Sequence, residues 1–111
     1  MTLDIVVLAA DQPDPAGMLA GMIGRGGTLR VRVNPDSLHV FDPSGPLLVS
    51  VETPVLVQAP GEVERLLGTS APVPLWWVDI RAAAHPPEAH TLARRIADEL
   101  VQRYQGAVWP S

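Results

Sequence analysis

The sequence predicts an α+β domain: a largely antiparallel or mixed sheet of five or six strands with two main helices on one face. A variant of the ferredoxin-like split βαβ arrangement falls within that description. Three observations carry the reading. Residues 87–105 show the apolar spacing of an amphipathic helix. Elsewhere the apolar runs are short and β-branched, as strands are. The 12 prolines and 9 glycines fall mostly between those runs, where they punctuate many short elements.

Leu3 to Ala10 is a near-continuous apolar run with Ile5, Val6 and Val7, the signature of a strand covered on both faces. Asp11-Gln12-Pro13 breaks it, and Asp14 followed by Pro15 is the pattern of an N-cap with proline at the first helical position. Met18, Leu19, Met22 and Ile23 then form a short helical stripe. Gly17, Gly21 and Gly24 weaken this helix by about 1 kcal/mol each relative to alanine, so packing must hold it, and the glycines would let it approach the sheet closely.

Gly24, Arg25, Gly26 and Gly27 end that helix. Thr28 to Val33 alternates, with Leu29, Val31 and Val33 on one face and Thr28, Arg30 and Arg32 on a solvated one. A turn at 34–37 leads to its hairpin partner, 38–42, and Pro43-Ser44-Gly45-Pro46 is the next turn. Leu47 to Thr53 is a further strand. Pro54 interrupts it and should mark an edge, a bulge or a corner before Val55-Leu56-Val57 resumes. A short helix follows, with Val63, Leu66 and Leu67 inward and Gly68 as its end.

Residues 75–81 read as an interior strand: Trp76, Val78 and Ile80 share one face, Leu75, Trp77, Asp79 and Arg81 the other. In the long helix, Ala89, Leu92, Ala93, Ile96, Ala97, Leu100 and Tyr104 form the buried stripe. Pro86 and Pro87 suit its first turn, Glu88 complements the positive end of its dipole, and Gly106 is placed to stop it. The pairs Arg94/Asp98, Arg95/Glu99 and Glu99/Arg103 lie four apart on its polar face, each worth about 0.2–0.5 kcal/mol. Ala107-Val108-Trp109 begins a closing strand. The 111 residues make one domain, 1–111, either complete in itself or the N-terminal domain of a longer protein.

Composition limits the function. A net charge of −4 disfavours a general nucleic-acid binder, because phosphate neutralisation needs a clustered positive field, and Arg25, Arg30 and Arg32 form the one local basic group. With no cysteine there is no thiol chemistry. The apolar run 3–10, interrupted by Asp4, is too short to span a bilayer, and no secretion signal is visible, so the expected compartment is the cytoplasm.

Each chemical candidate has a plainer reading beside it. Gly24, Arg25, Gly26 and Gly27 could cradle a polar ligand, but nucleotide loops open helices and this one closes a helix. His85 and His90 straddle a helix start five apart and share no face for a metal. Asp79, beside Arg81 and near Glu88, is the best acid–base candidate; an ion pair with Arg81 explains it as well. No hydrolase, kinase or dinucleotide signature appears. Trp76, Trp77 and Trp109 are three of only five aromatic residues, and one strand cannot hide both Trp76 and Trp77 unless both faces of the sheet are covered. These three are the candidate interaction surface.

From Leu47-Leu48-Val49-Ser50-Val51-Glu52-Thr53-Pro54 to Gly68, and from Trp76-Trp77 to Trp109, the chain resembles small uncharacterised actinobacterial proteins associated with type VII secretion gene clusters. The resemblance implies an accessory protein and carries over no functional residue. All eight basic residues are arginine, a bias that fits a GC-rich coding sequence. The expected function is a non-enzymatic protein-interaction module that binds a partner or itself, as a homodimer, without a cofactor. The alternative is a regulatory domain holding a small ligand at the glycine loop.

Overall fold

The structure, a computed structural model, describes residues 2–23 and 28–110. Its elements run β1 (Leu3–Ala9), α1 (Pro15–Ile23), β2 (Arg30–Val33), β3 (Ser37–Phe41), β4 (Leu47–Glu52), β5 (Val55–Val57), α2 (Glu62–Leu67), β6 (Leu75–Ala82), α3 (Glu88–Tyr104) and β7 (Gly106–Trp109). The strands form one seven-stranded sheet in the order β2-β3-β4-β6-β1-β7, with β5 also on β6, and every pairing is antiparallel. The α+β class holds. The sheet has more strands than five or six, because Pro54 divides one long strand into β4 and β5.

That division is a bulge. Val51 pairs with Ile80 and Val55 with Trp77, so β4–β5 gains one residue against β6 across Thr53-Pro54. A second irregularity falls at Leu48, between the pairs Val40–Val49 and Phe41–Leu47. It turns Leu48 inward, so that Leu48 and Val49 are both buried although neighbours on a strand normally face opposite ways.

Without β2, β3, β5 and α2, the frame is β1-α1-β4-β6-α3-β7 with strand order β4-β6-β1-β7. Strands β1 and β4 run in one direction, β6 and β7 in the other, and each pair brackets a strand of opposite sense. This is the split βαβ order of the ferredoxin-like arrangement. The β2–β3 hairpin is inserted after α1 and lengthens the sheet; β5 and α2 are inserted before β6.

The main core lies between the sheet and the layer of α1 and α3. Ile5 and Val7, Val78 and Ile80, Val49 and Val51 meet Met18 and Leu19 of α1 and the whole stripe of α3, whose Ala89, Ala93 and Ala97 allow close packing. On α1 the cap is as expected: the Asp14 carboxylate accepts the Gly17 amide at 3.1 Å. The helix glycines differ from expectation. Gly17 makes room for the capping carboxylate of Asp14, and a side chain at Gly21 would meet nothing. Of the three spaced pairs on α3, Arg103 with Glu99 forms an ion pair, at 3.1 Å.

Two further expectations are corrected. Gly106 does not stop α3: Gln105 takes the left-handed conformation instead, with its amide bonded to the Val101 carbonyl. Gly106 is the first residue of β7, where a Cβ would sit 2.8 Å from the Leu8 carbonyl oxygen. In β2 both faces are exposed, Val33 by 71%. The helix layer spans β4, β6, β1 and β7, and β2 overhangs it.

Candidate functional site

The opposite face of the sheet is covered only in part. There Val6, Leu8, Leu75 and Val63 form a second, small core, with Val57, Leu67, Val73 and Trp77 packed around it. Val63 is the one fully buried residue of the six-residue helix α2. Toward the other end of β1 and β6 this face turns polar. Arg81 reaches across the register pair to Asp4 at 2.8 Å, and that carboxylate holds the guanidinium above its ordinary value.

The structure separates the three tryptophans. Trp76 lies on the helix side of β6, opposite Leu56 and Ala9, while Trp77 and Trp109 lie on the α2 side, flanking β1 at Leu8 and Val6. Trp76 and Trp77 are half-buried and Trp109 is 37% exposed. The trio is therefore not one surface.

The acid–base grouping is not assembled. Arg81 pairs with Asp4 rather than Asp79, and Asp79 stands on the α2 face while Glu88 begins α3 on the other side of the sheet. Among the described residues no three His, Asp or Glu side chains gather as metal ligands. His85 is exposed in the loop before α3 and His90 half-buried in its first turn. His39 sits on β3 opposite Arg32 and Ser50, edge-on to Phe41 at 6.2 Å. Arg30 and Arg32 are exposed at the sheet margin. The glycine loop, Gly24, Arg25, Gly26 and Gly27, lies outside the described residues.

Two grooves open on the α2 face. The first, about 530 Å³, runs between β5 and α2 and is lined by Val55, Val57, Leu66, Trp77, Glu62 and Asp79. Beside Trp77 two large apolar side chains stand in water, Val55 59% and Leu66 51% exposed, while Leu56 faces the other side of β5 with Trp76. Glu62 is already engaged by Arg65, whose guanidinium holds that carboxyl below its usual range. Beside the groove, β5 pairs with β6 alone, so its other edge carries backbone groups without a partner strand among the described residues. Individually exposed apolar residues are ordinary on a protein surface; two around one half-buried tryptophan and beside a free strand edge are not.

The second groove, about 570 Å³, lies between β7 and residues 69–74. Leu8, Pro72, Pro74, Leu75, Ala107 and Trp109 line it, and none of its described lining residues is charged. Sequence reasoning found Trp77 and Trp109 from their size. It turned Leu66 inward with Val63 and Leu67, whereas Leu66 is 51% exposed, and it missed Val55, because placing both on one surface depends on the bulge at Pro54 and on which side of the sheet α2 packs.

Among the described residues no helix is long and apolar enough to cross a membrane. No family model matches the chain, and no curated protein or solved structure matches it.

Proposed function

We propose that this protein is a non-enzymatic protein-interaction module that takes an extended peptide segment of its partner along β5. The observation that carries the reading is the pair Val55 and Leu66, each more than half exposed, around Trp77 and next to a strand edge with no partner strand among the described residues. An added strand would satisfy the free backbone groups of β5, and its alternate side chains would enter the groove over Trp77 and Leu66. Asp79, an exposed carboxylate at that groove, favours a basic residue in the incoming segment. The resemblance to proteins of type VII secretion clusters is compatible with an accessory role of this kind and adds no residue to it.

Selection of binders from a displayed random-peptide library on the immobilised protein tests the proposal. The expected result is enrichment of apolar, β-prone peptides carrying a basic residue, whose binding is lost on Leu66→Arg. Leu66 is half exposed, so this change leaves the core intact. Failure to enrich any peptide, or binding that ignores Leu66→Arg, would refute the docking surface.

A further inference from the structure

We infer that the chain pairs with a second copy of itself through β7, antiparallel and centred on Val108, each Trp109 lying over Ala107 of the other copy and entering the uncharged groove. Two independent observations lead there.

The first is electrostatic. A twofold contact sets each residue against its own kind or a near neighbour, so an edge that bears charge repels its copy. The two ends of the sheet differ in this respect. Strand β2, Arg30-Val31-Arg32-Val33, would bring arginine against arginine, the charged edge that guards against strand pairing. Strand β7, Gly106-Ala107-Val108-Trp109, carries no charge, and neither do the described residues of the groove beside it. In a chain where 18% of residues are charged and the net charge is −4, that end of the sheet lets two copies meet without repulsion.

The second is shape. With Val108 on the twofold axis, Ala107 of one copy faces Trp109 of the other, and the reverse contact repeats it. Large meets small twice. Ala107 and Trp109 already share the α2 side of the sheet, pairing with Leu8 and Val6 of β1. The incoming indole therefore arrives on the side where Pro72, Pro74 and Leu75 wall the groove. The same register keeps the helices of both copies on one side of a continuous sheet.

This inference stands on β7 and is separate from peptide docking at β5. Because the sequence has no cysteine, a single introduced one is a unique probe. Light scattering of the wild type over a concentration series should approach twice the chain mass, and Ala107→Asp, which sets a carboxylate against the incoming Trp109, should return it to monomer with an unchanged circular-dichroism spectrum. Under diamide as oxidant, Val108→Cys should cross-link into a disulfide dimer, whereas Val33→Cys on β2 should not. A wild type that stays monomeric throughout, or equal cross-linking at both edges, overturns the inference. A monomer that still selects peptides sensitive to Leu66→Arg would refute the dimer and leave the β5 reading in place; a dimer that selects none would do the reverse.

Discussion

Single residues set the boundaries of this fold, and two glycines show how differently the same side-chain loss can act. At Gly106 an added methyl would meet the backbone oxygen of Leu8 at 2.8 Å, and neither strand can move without breaking the β1–β7 ladder. The overlap costs about 1–3 kcal/mol, more than the roughly 0.4–1 kcal/mol that alanine contributes by restricting the unfolded chain. Gly21 sits exposed within α1 with nothing in reach, and alanine there recovers about 1 kcal/mol of helix propensity. Chemical denaturation should thus show Gly106→Ala less stable than wild type and Gly21→Ala more stable. The Asp14 cap was legible because a carboxylate acts on an amide three residues along its own chain. The role of Gly106 was not, because what excludes a side chain there is Leu8, distant in sequence.

At the scale of elements, periodicity identified α3 within a residue or two at each end and named its buried stripe correctly, since a helix reports its facing surface in its own spacing. Pro54 was equally readable as an interruption. Whether its effect was a bulge, an edge or a corner required knowing that β6 runs alongside both halves. Helix α2 is the weak element. Six residues are too few to be helical alone, and Val63 is its one buried anchor. Truncation by Val63→Ala removes two buried carbons at roughly 0.8 kcal/mol each and leaves the larger core untouched. The expected outcome is local detachment: red-shifted Trp77 emission, read with Trp76 and Trp109 replaced by phenylalanine, at temperatures where far-ultraviolet circular dichroism remains native.

For the whole molecule, the asymmetry between the two sheet faces matters most. One face is covered by α1 and α3 over β4, β6, β1 and β7; the other is covered over its middle by α2 and residues 69–74, leaving a groove on either side. That asymmetry could not be seen in the sequence, because β1 and the first half of β6 are apolar on both faces and do not say which face is covered by what. Local patterns specified the strands and helices, while strand order, and with it the placement of the tryptophans, came from pairings between residues far apart in the chain. The central claim is that the β5 edge, beside Leu66 and Trp77, is where a partner docks. It is tested most directly by titrating the isotope-labelled protein with the best peptide selected on it and following amide and indole resonances. The account predicts that the large shifts cluster on Val55, Leu56, Leu66, Asp79 and the Trp77 indole, with Arg30 to Val33 unchanged. Shifts centred on the β2 edge, or spread evenly over the surface, would contradict it.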